Sequence, residues 1–263
     1  MNNSDRIDTG PAELATERRF GGVARLYGDA GFARIKAARV AVVGIGGVGS
    51  WAAEALARSG VGRIVLIDLD HVAESNINRQ IHALEATLGA AKVDAMAQRI
   101  RGINPAVEVE AVDDFVTAEN AESLVAGCDW VVDAIDQVKV KVALIALCRR
   151  LGMPLVTAGG AGGKTDPTRI RVDDLSRTEQ DPLLARVRKS LRQSHGFARD
   201  PRRRFGVAAV YSDERLRYLS GTGQDDAPQG LSCAGYGSSM VVTASFGLFA
   251  AAQVIQALAS EPP

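Results

Sequence analysis

The sequence predicts an α/β protein with a doubly wound, mostly parallel sheet. Short apolar runs such as residues 40–43, which lack polar alternation, are typical of strands buried on both faces. Segments of helix-forming residues alternate with these runs along much of the chain. A glycine-rich turn directly follows the first run, where parallel α/β sheets commonly form a binding site. Together these observations favour one wound sheet covered by helices.

The first predicted strand leads into glycines with the spacing G-x-G-x-x-G, at Gly44, Gly46 and Gly49. Glycine permits a tight turn and a close approach of a phosphate to the backbone N–H groups of the following helix. The second predicted strand, residues 63–67, ends at Asp68, roughly 20 residues past the glycines, where a carboxylate commonly binds a ribose hydroxyl. The unit therefore predicts a Rossmann-like nucleotide site without identifying the nucleotide.

The remaining predicted elements continue the alternation. Further strands are predicted at residues 107–112, 130–136, 154–157, 169–172 and 207–211, and helices at residues 90–103, 138–151 and 239–260. We expect residues 1–35 to form an N-terminal arm that is partly disordered, and residues 36–263 to form a single domain. Within that domain, residues 176–206 break the pattern as a basic crossover segment, and the apolar helix closes the chain.

Charge is balanced over the whole chain but not locally. The 263 residues include 31 Lys and Arg and 31 Asp and Glu, so no overall field attracts nucleic acid. The basic segment, residues 176–206, contains many cations and little acid after Asp181. This pattern predicts a local contact with a phosphate backbone, and its alternative is a solvated helix and loop. The cations expected to bind are Arg186, Arg188, Lys189, Arg192, Arg202, Arg203 and Arg204.

Cysteine usage and the lack of a signal-peptide pattern predict a cytoplasmic protein. The three cysteines include no C-x-x-C pair, which argues against a disulfide framework and a zinc site. Cys233 is either a nucleophile or a small packed side chain. Residues 240–259 carry no formal charge and approach the length of a membrane span. Interrupting polar residues favour a buried helix there, and we expect no stable membrane insertion.

Arg79, Lys92 and Asp136 follow the glycine turn along the chain. Taken one at a time, such residues are most often solvated. Taken together, they provide cations that could hold a triphosphate and a carboxylate that could hold magnesium. Magnesium prefers a carboxylate combined with phosphate oxygens and keeps its remaining waters. The set therefore provides an alternative to hydride transfer, the binding of a triphosphate together with magnesium.

Several ordered motifs resemble the E1-like adenylating family, which includes ubiquitin-activating, molybdopterin-synthase-activating and thiamine-biosynthesis enzymes. They are Gly44-Ile45-Gly46-Gly47-Val48-Gly49, Ile67-Asp68-Leu69-Asp70, Ser75-Asn76-Ile77-Asn78-Arg79-Gln80, Gly89-Ala90-Ala91-Lys92 and Asp133-Ala134-Ile135-Asp136. The resemblance implies a fold of the E1-like type in which Asp68 binds the ribose of ATP and Asp136 holds Mg²⁺. Arg79 and Lys92 would bind the phosphates, and with Asp136 they form the implied catalytic set. The implied ATP-binding set is Gly44, Gly46, Gly47, Gly49, Asp68, Asp70, Asn76, Arg79 and Lys92.

Further motifs resemble one branch of that family, the tRNA threonylcarbamoyladenosine dehydratases. They are Arg19-Phe20-Gly21-Gly22-Val23-Ala24-Arg25-Leu26-Tyr27-Gly28, Asn78-Arg79-Gln80-Ile81-His82-Ala83-Leu84, Asp113-Asp114-Phe115-Val116-Thr117, Gly159-Gly160-Ala161-Gly162-Gly163 and Gln180-Asp181-Pro182-Leu183. In that branch, ATP activates the carboxylate of the threonylcarbamoyl group on a tRNA adenosine next to the anticodon. The ureido group of the same modification then closes a ring and expels AMP.

The resemblance also implies partners. It implies a tRNA substrate held by the basic segment and a homodimer, and it leaves room for a sulfur-relay protein. In relatives, an arginine of the arm reaches the ATP of the partner subunit. Gly22 occupies the nearest equivalent position here, so Arg19 or Arg25 is expected to replace that arginine.

Other functions remain open from the sequence. An E1-like activator of a small sulfur-carrier protein would use Cys233 to accept the activated C-terminus. An NAD-dependent oxidoreductase requires only the glycine turn and leaves Arg79, Lys92 and Asp136 without a role. A module that only senses a nucleotide would bind ATP without turnover.

Overall fold

The computed structural model describes residues 11–200, 202–216 and 237–260, without the side chains of residues 11–17. Its described strands form one seven-stranded sheet in the order β3-β2-β1-β4-β5-β7-β6. The strands are β1 Arg39–Val43, β2 Arg63–Ile67, β3 Glu108–Val112, β4 Trp130–Asp133, β5 Leu155–Ala158, β6 Ile170–Asp174 and β7 Ala208–Ser212. All neighbours are parallel except β6 and β7, which are antiparallel. The predicted doubly wound, mostly parallel sheet is confirmed.

Helices cover both faces of the sheet. They are α1 Pro11–Ala37, α2 Gly49–Arg58, α3 Lys92–Ile103, α4 Ala121–Leu124, α5 Val138–Leu151, α6 Pro182–Ser194 and α7 Met240–Ala259. Val40 and Val42 of β1 pack into one apolar cluster with α2, α3 and α7. Ala41 and Val43 pack into the other cluster with α5 and α6. Both faces of β1 are therefore buried, which explains its uninterrupted apolar sequence.

The sheet register places the ends of four strands at one edge. Val43 is paired with both Ile67 and Asp133, and Asp133 is paired in turn with Thr157. The residues that follow these strands therefore leave the sheet side by side. In open α/β sheets this carboxyl edge is where ligands bind. The predicted strand 130–136 is too long, because β4 ends at Asp133 and residues 134–137 turn away along that edge.

Much of the predicted N-terminal arm is helical. Residues 11–35 belong to α1, which is interrupted at Gly28, where φ is 73°. Arg34 donates a hydrogen bond to the carbonyl oxygen of Leu258 at 3.2 Å and another to that of Ala259. The second half of α1 is thereby attached to the end of α7.

The apolar helix α7 packs closely on α2. A Cβ atom at Gly247 would lie 2.4 Å from the carbonyl oxygen of Val48 and 2.8 Å from the amide nitrogen of Ala52. Only glycine allows this approach of the two backbones. By length and composition α7 could span a membrane, but half of its most apolar window is buried inside the protein. The helix is therefore part of the core, as the polar residues that interrupt its sequence predict.

Candidate active site

A cavity of about 500 Å³ opens at the carboxyl edge of the sheet. This volume lies in the range usual for small-molecule sites, roughly 300–1,000 Å³. Segments that are far apart in the sequence line the cavity. The predicted site residues among its lining are Gly44, Gly46, Gly47, Asp68, Asp70, Asn76, Arg79, Lys92 and Asp136. Gly49 is the one member of the predicted set that does not line it.

The glycine turn depends on steric freedom at particular positions. Gly44 has φ of +88°, a left-handed conformation that disfavours other residues. A Cβ atom at Gly49 would lie 1.8 Å from the carbonyl oxygen of Gly44, so the turn closes only around glycine. At Gly47 a Cβ atom would lie 3.2 Å from Cγ and Cδ of Arg79. The glycines thus bring the α2 N-terminus and the Arg79 side chain to the same wall.

Asp68 connects the glycine turn to the end of β2. Its Oδ2 accepts a hydrogen bond from the amide of Ile45 at 2.6 Å, and its Oδ1 accepts one from the amide of Asp70 at 2.8 Å. Burial raises the pKa of Asp68, while the positive charge of Lys92 and these two amides lower it. Each carboxylate oxygen keeps a lone pair. The side chain can therefore accept a ribose hydroxyl while holding the turn.

Two cations approach the cavity from different elements. Lys92 begins α3, and its Nζ lies 2.6 Å from Oδ2 of Asp70. The Lys92 side chain is 7% exposed and that of Asp70 is 68% exposed, so a surface carboxylate holds an almost buried ammonium. Nη1 of Arg79 donates to the carbonyl oxygen of Ser75 at 2.6 Å and to Oδ1 of Asn78 at 2.9 Å. Both cations are thereby oriented without losing access to the cavity.

Asn76 has a local structural contact. Its Oδ1 accepts the amide of Ala73 at 3.1 Å, which closes the short turn that carries Arg79. The Asn76 side chain is buried and lines the cavity. It therefore shapes the turn beside the ligand space.

Asp136 lies on the loop after β4 and is exposed at the cavity wall. In the described part of the chain, no group of three or more His, Cys, Asp or Glu side chains could by itself hold a metal ion. Mg²⁺ does not need such a group when phosphate oxygens supply further ligands. One carboxylate that lines the same cavity as Arg79 and Lys92 fits that donor set.

A buried network beneath the cavity was not predicted as a site feature. Asp133 at the end of β4 forms an ion pair with Lys141 of α5, and Thr157 of β5 joins them. The sequence contains one signal for it, a lysine one turn into the helix that follows an acidic strand end.

Two of the branch motifs meet at the opposite wall. Asp181 accepts hydrogen bonds from the amides of Gly160 and Leu184, each at 2.9 Å, and so caps α6. A Cβ atom at Gly159 would lie 2.0 Å from Oδ2 of Asp181. Burial raises the pKa of Asp181. The motifs at residues 159–163 and 180–183 therefore form one unit, and Gly159, Gly160 and Leu183 line the cavity.

His82, in another branch motif, is buried beside this site. Its ring nitrogens have no hydrogen-bond partner among the residues that the structure describes. Burial, with smaller contributions from the charges of Lys92 and Arg99, lowers the pKa of His82 to about 4. The ring is therefore neutral at neutral pH and adds no charge next to Lys92.

The basic segment reaches the cavity only through Leu183, and none of its predicted tRNA-binding residues lines that space. Some of these residues are held by their own chain. Arg188 donates to Oγ1 of Thr178. Arg192 donates to the carbonyl oxygen of Ala198 at 3.2 Å, and its guanidinium lies 5.1 Å from the centre of the Phe205 ring. These two arginines stabilise the segment itself.

Other cations of the segment point outward. Arg202 pairs with Asp200 at 3.2 Å. The remaining exposed cations of the set are Arg186, Lys189, Arg203 and Arg204. Within the described ranges, no ion pair joins any of these four side chains to an acidic residue. The structure therefore separates the predicted tRNA-binding cations into two groups, those bonded within the segment and those exposed to solvent.

The arm arginines and the cysteines complete the predicted set. Nη1 of Arg19 donates to the carbonyl oxygen of Ile103 at 3.0 Å, and neither Arg19 nor Arg25 lines the cavity. Cys128 and Cys148 are buried, and burial raises the pKa of both thiols, that of Cys148 to about 12. Neither is a thiolate at neutral pH. Cys233 lies outside the described residues.

Comparisons with known proteins agree with this architecture. The ThiF family model matches residues 21–263. The chain is 47% identical over 244 residues to the tRNA threonylcarbamoyladenosine dehydratase of Haemophilus influenzae, covering 92% of this chain and 94% of that one. It is 49% identical over 251 residues to the enzyme of the same name from Escherichia coli K12, with the same coverage of 92% and 94%.

Solved structures give the same result. The Escherichia coli tRNA N6-threonylcarbamoyladenosine dehydratase in complex with ATP superimposes with a TM-score of 0.85 at 47% identity, covering 96% of this chain and 97% of that one. The same enzyme in complex with AMP gives a TM-score of 0.84 at 49% identity, with 93% and 95% covered.

The wound sheet and the convergence of its glycine turn, acids and cations define an E1-like, Rossmann-type nucleotide-binding protein. The chain belongs to the ThiF family, in its tRNA threonylcarbamoyladenosine dehydratase branch. The resemblance seen in the sequence is thereby confirmed.

Proposed function

We propose that this protein dehydrates threonylcarbamoyladenosine next to the anticodon of tRNA, using ATP. The observation that carries the proposal is the convergence of Asp68, Arg79, Lys92 and Asp136 on one cavity. Relatives of nearly equal length have this activity in their names, and one of them has been solved with ATP and with AMP. ATP is accordingly the cofactor, and Mg²⁺ is the proposed metal.

The lining residues suggest an orientation for ATP. Asp68 accepts a ribose hydroxyl, because its carboxylate is fixed by two amides and keeps free lone pairs. Arg79 and Lys92 then face the phosphates. Mg²⁺ bound at Asp136 would supply further neutralisation of phosphate charge. The glycine turn leaves room for phosphate oxygens next to the start of α2.

In the first step, an oxygen of the threonyl carboxylate attacks the α-phosphorus of ATP. The bond from that phosphorus to the leaving pyrophosphate breaks, and an acyl adenylate forms. Negative charge develops on phosphate oxygens during this step. Arg79 and Lys92 stabilise that charge because they are held in place before the reaction begins.

In the second step, the ureido group of the same nucleoside attacks the acyl carbon and AMP leaves. The nucleoside loses one water in total, while ATP becomes AMP and pyrophosphate. The attacking group is already attached to the substrate, so proximity makes an enzyme nucleophile unnecessary. The raised thiol pKa values of Cys128 and Cys148 agree with this. No observation in the described part of the chain favours the alternative, activation of a sulfur-carrier protein.

The basic segment is the proposed contact for the tRNA backbone. Arg186 and Lys189 lie on the exposed face of α6, whose first turn contributes Leu183 to the cavity wall. A phosphate backbone along this face would therefore lead towards the cavity. Arg203 and Arg204 extend the same basic segment.

We further propose that the protein is a cytoplasmic homodimer. Val241, Leu248 and Phe249 are 51%, 48% and 42% exposed on α7. Their spacing places them along one side of the helix, where a second copy could cover them. Sedimentation of the Leu248→Asp, Phe249→Asp double variant should show monomers if α7 forms the interface.

Mass spectrometry of tRNA nucleosides tests the reaction directly. After incubation of threonylcarbamoyladenosine-containing tRNA with ATP and this protein, we expect the nucleoside to lose the mass of one water. AMP should appear in equal amount. A nucleoside of unchanged mass, under conditions where the protein binds both ATP and tRNA, would contradict the proposed function.

A further inference from the structure

Directly beneath the cavity, buried polar side chains join its two walls. Asp133, Lys141 and Thr157 are each 0% exposed. Nζ of Lys141 lies 2.8 Å from Oδ2 of Asp133 and donates to Oγ1 of Thr157 at 3.0 Å. Oγ1 of Thr157 donates to the same Oδ2 at 2.7 Å. One carboxylate oxygen thus binds both partners.

Packing alone does not account for such a network. Removing two charges from water carries a large desolvation penalty, and apolar residues of similar volume often serve equally well or better. The position of the network suggests what it does instead. It lies at the point where the chain leaves β4 and enters the cavity wall.

The second carboxylate oxygen of Asp133 acts on the loop that follows. Oδ1 accepts the amide of Ile135 at 3.2 Å, and Asp136 is the next residue. The far end of the loop is also fixed, because the amide of Lys141 donates to the carbonyl oxygen of Gln137 at 3.0 Å. The loop carrying Asp136 is therefore fixed at its start by the carboxylate of Asp133 and at its end by the first turn of α5, which also carries Lys141.

Thr157 extends this control to the opposite wall. It lies in β5, which leads directly into Gly159 and Gly160 at the cavity. Because Thr157 donates to the carboxylate that also holds Ile135, the loops after β4 and β5 share one anchor. A change at Thr157 should therefore alter the position of Asp136, although the two side chains belong to different segments.

We propose that Lys141 and Thr157 are positioning residues for metal binding: they fix the carboxylate of Asp133, which directs Asp136 towards the Mg²⁺ and phosphates of ATP. This inference rests on the proposed function, in which Asp136 holds the metal. Neither residue lines the cavity. They act through the direction of the loop.

Calorimetric titration of the full chain with ATP tests this, at increasing Mg²⁺ and separately in EDTA. Thr157→Val keeps the shape of the side chain and the ion pair but removes the hydroxyl, whereas Thr157→Ser keeps the hydroxyl. We expect Thr157→Val to raise the Mg²⁺ concentration for half-maximal ATP binding by about 10-fold, the lower end of the effect of removing a direct partner of a metal ligand, because Thr157 acts through Asp133. ATP affinity in EDTA should stay unchanged, and Thr157→Ser should resemble the wild type.

Lys141→Met, which is similar in length but uncharged, should show the same Mg²⁺-specific defect at temperatures where it remains folded. If Lys141→Met does not fold, the result for Thr157→Val alone tests the positioning role. Asp136→Asn is the reference variant and should abolish the Mg²⁺ dependence. Normal Mg²⁺ dependence in Thr157→Val, with loss of it in Asp136→Asn, would overturn the positioning role alone. Equal losses of ATP affinity with and without Mg²⁺ would also overturn it, because they indicate general destabilisation. Normal Mg²⁺ dependence in Asp136→Asn would overturn both the inference and the proposed metal site.

Discussion

The cavity wall and the basic segment are both rich in charged residues, but they use charge differently. At the cavity, Lys92 is almost buried and is held by Asp70 from across the chain. On the basic segment, Arg186 and Lys189 are exposed, while Arg188 is bonded within the segment. Convergence of side chains from separate elements, and not the number of charges, therefore distinguishes the candidate active site from the basic segment.

This difference has a measurable consequence. Residues at the cavity depend on the exact shape of the sheet edge, so single changes there should act strongly and specifically. Cations on the segment contribute separately to an electrostatic contact. Changes there should act in small increments that depend on salt.

The largest expected effect comes from Gly49→Ala. The added Cβ would meet the carbonyl oxygen of Gly44 at 1.8 Å, so the turn cannot close without moving β1 or α2. We expect the free energy of unfolding to fall by ~3 kcal/mol, the upper end of the usual effect of overpacking. Gly46→Ala is the matched control, because nothing lies within 4 Å of a Cβ at Gly46. Thermal melts of both variants test this, and equal melting temperatures would show that the turn is not sterically restricted.

Lys92→Ala should affect chemistry more than folding. The variant removes a fixed positive charge from the cavity, and we expect the rate of tRNA-dependent AMP release to fall by about 100- to 1,000-fold. Binding of tRNA should stay close to wild type. Lys139→Ala removes an exposed lysine of α5 and serves as the control. Unchanged AMP release in Lys92→Ala would show that Lys92 does not stabilise the reaction.

His82 should make stability depend on pH. The unfolded chain binds a proton at the ordinary pKa of 6.5, whereas the folded protein does so only at about 4. Between these values the unfolded state holds more protons, so stability rises with pH and is lost as pH falls from 6.5 towards 4. One proton contributes at most ~1.4 kcal/mol per pH unit.

Urea unfolding at several pH values measures this slope. His82→Leu should flatten it, because the unfolded variant has no imidazole to protonate at this position. His195→Leu removes an exposed imidazole directly after α6 and is the control substitution. Identical slopes for wild type and His82→Leu would show that another group is responsible.

The smallest effects are expected on the basic segment. Replacing Arg186 and Lys189 by Glu should weaken tRNA binding and reduce the slope of log K against log salt by up to ~0.9 for each phosphate that is no longer neutralised. Replacing Arg188 and Arg192 by Gln should mainly lower the melting temperature, because these side chains bind Thr178 and Ala198. Filter-binding titrations at several salt concentrations separate the two outcomes. If the Arg188 and Arg192 variant lost the salt dependence and the Arg186 and Lys189 variant lost thermal stability, the assignment of these residues to two groups would be wrong.

Local patterns in the sequence predicted most of the fold. The helix at residues 138–151 and the strand at 63–67 match α5 and β2, because apolar periodicity and flanking residues define them locally. The predicted end of β4 at residue 136 is wrong, because a strand and the extended loop that follows it have similar composition. The sheet order required the structure, because parallel strands pair across intervening helices.

The candidate site was predictable only as a set of residues. Motif order indicated that Asp70 and Lys92 belong together, but not that they form an ion pair across 22 residues. The position of Lys141 after an acidic strand end was its one signal in the sequence, and its burial was not predictable because it depends on contacts with Asp133 and Thr157. For the same reason, sequence could not separate Arg188 from Lys189. Each of these distinctions depends on tertiary contacts.

The close approach of α7 to α2 links ligand binding to the stability of the last helix. Thr243 of α7 lines the cavity, and Gly247, one turn later, rests against the backbone of α2. A nucleotide that fills the cavity favours every conformation in which its walls are assembled. Bound ATP should therefore slow hydrogen exchange in α7, so that the occupancy of the site is reported by amides near the other end of the chain.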